Sequence, residues 1–364
     1  MKSAIQHNIG DISQYFSKKY LFISISLSVI SLVVLVYFTY TPDFFQHVRL
    51  KRLPGLLIAF TVAALRVWFF AAKLRYLSEQ KLSWAASFRV VFTWDFTSSI
   101  TPSTIGGAPL ATYAMTREKI TLGQSSAIMI YGIMLDQLLL LFMIPGLLVA
   151  GMYFAIVPEN VGRLGQGAML LMYLMLLSYA VVLIYGVFRN PSILKKTVNF
   201  IFRLPLLNRY KEPIARETET LESTSHELRK KPFRFVLTAF SLSTLTWIAR
   251  ASLPTIVVLS FLPADEVLSL LRSMAMALAS MFMPTPGGSG GVEGLFAIFQ
   301  GPLIERKAFL GISVFMWRLI SYYIPVGIGM MVLSWYLKNQ VAEGAVPDRP
   351  DKIDRQEVTE VSEK

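Results

Sequence analysis

Cysteine is absent from all 364 residues, which excludes disulfides, thiol catalysis and thiolate metal sites. Histidine is nearly absent: His7, His47 and His226 are the only three, and each falls in an expected tail or loop. Charge is sparse as well, with 16% Asp, Glu, Lys and Arg together. No His-Glu-x-x-His run, Gly-x-Gly-Asp pair or P-loop is present. Zinc proteolysis, intramembrane aspartyl proteolysis and P-loop ATP hydrolysis are therefore not expected, and neither a metal nor another cofactor is predicted. The short "GGSG" at 287–290 has the look of an intramembrane serine protease motif, but such a serine needs a histidine base. None is available inside an apolar segment.

What the chain has in quantity is apolar surface. Hydrophobic residues make up 54% of it and the mean hydropathy is +0.52, too apolar for an ordinary soluble domain. Apolar runs at about 21–40, 54–74, 122–150, 167–188, 234–262 and 308–337 match the roughly 20 residues a bilayer-spanning helix needs. The first run is read as a retained helix, since no small-residue cleavage pattern follows it. Two further regions, 84–117 and 267–301, each consist of an apolar segment, a Gly/Pro break and a short second segment. The expected fold is an all-α polytopic membrane protein. It has six full spans plus two broken re-entrant hairpins, and eight full spans are the rival count.

The net charge of +12 comes from bases gathered in loops, so a membrane topology explains it and a nucleic-acid partner is not needed. Residues 189–234 carry eleven Lys or Arg against five Glu, which places the 189–233 loop in the cytoplasm. The loop at 263–266 carries Asp265 and Glu266 without a base and belongs outside. Both termini are then cytoplasmic: the 1–20 segment and a polar tail, 338–364, expected to be disordered. Arg49, Lys51 and Arg52 fall on the outer side in this arrangement, against the rule. Trp84, Trp335 and Tyr336 are read as interface anchors.

The two broken regions repeat one pattern. Arg66 precedes "TPSTIGGAP" (101–109) and then Asp136, 70 residues on. Arg250 precedes "MPTPGGSGG" (283–291) and then Arg318, 68 residues on. Arg66 and Arg250 lie on helices of opposite direction, so the repeat is inverted. That arrangement is the mark of many secondary transporters with a midplane site. Pro102, Pro109, Pro284 and Pro286 break the helices, while Gly106, Gly107, Gly287, Gly288, Gly290 and Gly291 let backbone approach a ligand. The short helices that follow would offer N-terminal N–H groups to an anion.

A charge at bilayer depth costs about 2.5–3.5 kcal/mol on insertion scales, so Arg66, Asp136, Arg250 and Arg318 should be paired or functional. Three arginines against one clear acid predict a cationic site, and guanidinium suits phosphate. Asp95 and Glu293, beside the breaks, are read as capping or pairing groups before coupling groups. The expected partner is a membrane lipid, an anionic phospholipid or related phosphate lipid.

"TPSTIGGAPLATYAM" and "MPTPGGSGGVEGLF", each beside an arginine-bearing span, resemble the signature breaks of the lysylphosphatidylglycerol synthase/flippase transmembrane family. The resemblance covers about residues 15–337. It implies re-entrant helices and movement of lipids between leaflets. By motif, Pro284, Pro286, Gly287, Gly288, Gly290, Gly291 and Glu293 would form the second break. Bifunctional members carry a soluble domain that transfers lysine from charged tRNA. Only a polar tail follows here, so synthase activity is not expected, and a separate lipid synthase becomes a candidate partner.

Overall fold

The computed structural model describes residues 53–101, 107–188, 230–283, 285–306 and 308–345, with isolated helical positions between 26 and 37. The first expected span, Arg49, Lys51, Arg52, Pro102, Gly106, Pro284, most of the 189–233 loop and residues 346–364 lie largely or wholly outside the described residues. Every regular element among the described residues is helical, so the chain is an all-α polytopic membrane protein.

Four helices have the length and composition of spans: Pro54–Leu77, Leu122–Ala150, Phe233–Phe261 and Ala308–Tyr336. They begin and end where local chemistry dictates. α1, Leu53–Leu77, stops where Glu79 and Gln80 turn left-handed and Gln80 N–H donates to the Arg75 carbonyl. Ser83 caps α2, Trp84–Ile100, by accepting the Ala86 N–H at 3.1 Å. The chain then breaks and resumes as α3, Ala108–Arg117, with Pro109 in its first turn. Thr121 caps α4, Leu122–Ala150. α5, Gly162–Phe188, returns the chain to the starting side and has an apolar centre at Leu170–Val181.

The second unit repeats this order. α6 is Phe233–Phe261, and α7 is Glu266–Ser280, capped by Asp265 on the Leu268 N–H at 2.9 Å. A 3-10 turn at Pro286–Gly288 leads into α8, Gly291–Gln300. α9, Ala308–Arg318, passes through a π turn, Leu319–Tyr323, into α10, Ile324–Ala345. The last helix thus runs past residue 337, into the first residues of the segment read as a polar tail.

α1 and α6 pack antiparallel. Tyr76 stacks on Phe235 with ring centres 4.7 Å apart, while Gly55, at the other end of α1, lies against Ser260. The base of α2–α3 is therefore at one end of this pair and the base of α7–α8 at the other. Each is a true antiparallel hairpin closed at its base by polar groups. Arg89 of α2 donates to both Glu118 oxygens, at 2.7 and 2.9 Å, beyond the end of α3. Burial alone would raise the Glu118 carboxyl's pKa, but Arg89 and the Tyr336 hydroxyl outweigh it and hold that pKa below the ordinary value. Tyr336, read from sequence as an interface anchor, is a buried donor to Glu118 at 2.7 Å.

In the second hairpin, Gln300 at the end of α8 bonds Ser269 and Ser273 of α7. Arg272 of α7 donates to the carbonyls of Phe299, at 3.2 Å, and Ala155, at 2.9 and 3.2 Å. Arg272 is buried and meets carbonyls rather than a carboxylate. Replacing it with Ala strands two carbonyls, at a cost of about 1–3 kcal/mol each if no water reaches them. Arg272→Ala should lower the thermal midpoint in a detergent melting scan.

α2 and α7, at 17 and 15 residues, reach only about 25 and 23 Å at 1.5 Å per residue, and α3 and α8 about 15 Å. None alone matches a hydrocarbon core of about 30 Å. Their tips meet instead: Gly287 N–H donates to the Thr101 carbonyl at 3.4 Å. Two hairpins approach from opposite ends and touch at their broken backbone.

Candidate functional site

A chamber of about 160 Å³ lies where the tips meet, with Arg66, Asp95, Arg250, Gly287, Gly288 and Arg318 among the residues lining it. All three arginines singled out in the sequence converge here from α1, α6 and α9. A smaller recess of about 80 Å³ shares Arg66, Asp95 and Arg250 and extends to Lys73 and Asp136.

The pairing of these charges differs from the expected one. Arg66 binds Asp95 through both guanidinium branches, one at 3.1 Å. Asp136 shares a recess with Arg66 and Arg250 but makes no salt bridge to an arginine among the described residues. Its two oxygens accept from Lys73 Nζ at 2.9 and 3.0 Å, and Lys73 is 1% exposed. Arg318 Nε donates to Glu293 Oε1 at 2.8 Å, with both residues buried. Asp95 and Glu293 thus take the pairing and capping roles read for them, and with Lys73 on Asp136 the charges form three separate cation–carboxylate pairs, with one cation left over among the described residues. That cation is Arg250. It makes no salt bridge among the described residues, has Trp247 5.4 Å from its guanidinium, and is exposed to the cavities that it lines.

Backbone chemistry opens the chamber beside both Arg250 and Arg318. Pro254 has no N–H to offer the Arg250 carbonyl four residues earlier, and Pro254 itself lines the chamber. Pro325 would clash with the Ser321 carbonyl in a regular helix, and the π turn at Leu319–Tyr323 widens the backbone there. That turn sets Arg318 beside Tyr322, 4.4 Å from guanidinium carbon to ring centre. It also leaves Arg318 Nη2 buried without a hydrogen-bond partner among the described residues.

The glycines divide by role. Gly287 and Gly288 line the chamber at φ +60° and +68°, a conformation that side chains with a Cβ rarely adopt. Gly290, at φ +85°, gives its N–H to Glu293 Oε2 at 2.8 Å. Glu293 thus caps α8 and holds Arg318 at once. Gly290, Gly291 and Glu293, read from sequence as ligands, are not among the residues that line the chamber, and Glu293 is buried. Gly107 packs against Trp94 and Ser98 of α2 and tightens the first hairpin; it does not line the chamber either. Pro286 opens the 3-10 turn, and Pro109 starts α3. Sequence reasoning missed Lys73, Tyr322 and Pro325. Lys73 lay one residue inside the expected end of its span, where a snorkelling side chain is the default reading.

A profile of the family described as Lysylphosphatidylglycerol synthase TM region matches residues 21–329. The chain is also similar to a UPF0104 membrane protein of Archaeoglobus fulgidus. The two are 23% identical over 327 residues, covering 85% of this chain and 97% of that relative.

Proposed function

This chain belongs to the lysylphosphatidylglycerol synthase transmembrane-region family, and on that premise we propose that it is a lipid flippase. It moves a phosphate-bearing lipid between the leaflets of a bacterial-type cytoplasmic membrane. One observation carries this reading: Arg250, without a salt bridge among the described residues, faces a chamber formed where two opposed hairpins meet. Unsatisfied backbone and a lone charge at such depth are tolerated only where water or a polar ligand can reach them.

The headgroup enters the chamber and the tails stay in apolar surroundings. A crevice of about 610 Å³, lined by Leu65, Trp68, Phe88, Phe92 and Ile324 among others, shares Pro325 with the chamber. An acyl chain lying there keeps contact with hydrocarbon while the phosphate sits against Arg250. The hairpins are re-entrant in this account, each covering half the membrane depth, and rocking of one unit against the other opens the chamber to either side. A lipid synthase acting separately would supply the cargo.

Topology gives an early check. Arg75, Lys81, Lys230, Lys231 and Arg234 gather at the end of the α1–α6 pair where the 189–233 loop begins and ends, and Asp265, Glu266 and Glu305 lie at the other. The basic end is cytoplasmic on this reading. With no native cysteine, single-cysteine labelling is clean. In intact cells Ser223→Cys should be shielded from an impermeant thiol reagent and Pro263→Cys labelled; Pro263 is exposed and spares the Asp265 cap. The reverse pattern inverts the topology. The proposal itself is tested by leaflet transfer in liposomes, described below.

A further inference from the structure

We infer that the chamber selects a phosphodiester carrying a single net negative charge, borne on a lipid, and rejects the lysylated lipid after which the family is named. The inference rests on the flippase reading and specifies its cargo. Four cations surround the chamber and its recess: Arg66, Lys73, Arg250 and Arg318. Three carboxylates face them: Asp95, Asp136 and Glu293. Among the described residues the balance is one positive charge, and it resides on Arg250.

Each carboxylate is already engaged by a cation. Asp95 gives both oxygens to Arg66, Asp136 gives both to Lys73, and Glu293 divides its two between Arg318 and the Gly290 N–H. A headgroup ammonium therefore finds repulsion from Arg250 and no free acid. Lysylphosphatidylglycerol joins one phosphodiester to a lysyl ester bearing ammonium groups and is net cationic. In the chamber it would leave buried positive charge without a partner, which is costly. A zwitterionic lipid leaves the chamber at its original imbalance. A phosphomonoester, with a charge of about −1.5 to −2, overshoots it.

The open donors match a phosphodiester. Such a group has two unesterified oxygens, and the chamber offers the unpaired Arg250 guanidinium together with Arg318 Nη2, which is buried and lacks a partner among the described residues. Arg318 is 4% exposed and held in place by Glu293, so its free branch is fixed before the ligand arrives. The same chemistry occurs on a water-soluble glycerophosphodiester, but the neighbouring apolar crevice, which shares Pro325 with the chamber, favours the lipid.

The test is displacement of a fluorescent phosphatidylglycerol from the purified full chain in phosphatidylcholine nanodiscs at pH 8. Unlabelled phosphatidylglycerol should displace it best. Phosphatidic acid, phosphatidylethanolamine and lysylphosphatidylglycerol should each need about tenfold more, as expected for one unbalanced charge or one lost charge-assisted bond. Soluble glycerophosphoglycerol should also compete poorly. Arg250→Gln should weaken phosphatidylglycerol binding by about tenfold or more, with Arg250→Lys retaining most of it. Asp95→Asn, which adds one positive charge to the balance, should move the preference to phosphatidic acid. Equal competition by lysylphosphatidylglycerol, parent-like binding by Arg250→Gln, equal competition by the soluble headgroup, or no displacement at all overturns the assignment. If the expected ranking is seen but no lipid crosses liposome leaflets, the transport reading fails and the charge assignment stands. Transfer that prefers lysylphosphatidylglycerol sinks the charge assignment alone.

Discussion

Gly288→Val is expected to reduce leaflet transfer to the protein-free background, whereas Ser289→Ala leaves it near the parental rate. Gly288 stands at φ +68° on the chamber wall, and a Cβ built there runs into the Val292 side chain. A β-branched residue in the left-handed region costs about 1–2 kcal/mol in backbone strain before any clash. The turn can relieve both only by moving. Its neighbour Gly287, at φ +60°, is wedged between the Ser99 carbonyl and the Tyr322 ring and donates to Thr101. Movement at 288 is therefore transmitted directly to the contact between the two hairpin tips. Ser289 is fully buried and does not line the chamber, so losing its hydroxyl should not alter what a headgroup meets. A serine hydrolase would reverse the ranking, with Ser289→Ala abolishing activity and Gly288→Val tolerated. Transfer assays on both variants, each checked for folding by size-exclusion chromatography, decide between the two readings.

Arg318→Ala should show the largest loss of stability among the site variants, about 3–5 kcal/mol, because it leaves Glu293 as a buried carboxylate without its cation. Glu293 is 1% exposed, and its other oxygen is committed to the α8 cap. Removing both partners in Arg318→Met/Glu293→Gln should restore much of the melting temperature and none of the lipid binding. Arg250 behaves differently: it is exposed to the chamber and unpaired among the described residues, so its removal should cost binding with little change in the melting curve. A melting series on the four proteins separates these roles. If Arg318→Ala melts like the parent, the pair does not hold the second hairpin.

The contrast between Arg318 and Arg250 also shows what could be read from sequence. Hydropathy and the Gly/Pro breaks located both hairpins, because length and backbone chemistry are local properties. The alternating direction of the spans gave the inverted order, and depth in the spans singled out Arg66, Arg250 and Arg318, which line one chamber. That Asp95 and Glu293 pair or cap was legible from their places beside the breaks; which cation each one meets was not. Asp95 meets Arg66 from a different helix 29 residues away, and Lys73 meets Asp136 across 63 residues. Only the packing of α2 and α4 on α1 decides those partners. Arg272 went unnoticed because its partners are carbonyls, which every residue carries. The π turn escaped for a related reason: Pro325 announces a disturbance in the helix, but not which of several repairs the fold adopts.

The most direct measurement is leaflet exchange by the purified protein. Liposomes of phosphatidylcholine with fluorescent phosphatidylglycerol in both leaflets are exposed to a membrane-impermeant quencher, with and without the reconstituted chain. Without protein only the outer-leaflet label is lost. The account predicts that the parental protein makes the inner-leaflet label reachable as well, and that Arg250→Gln, reconstituted at equal density, does not. Inner-leaflet label that stays protected in the presence of folded parental protein, or is lost equally with Arg250→Gln, contradicts the central claim that lipid crosses through the Arg250 chamber.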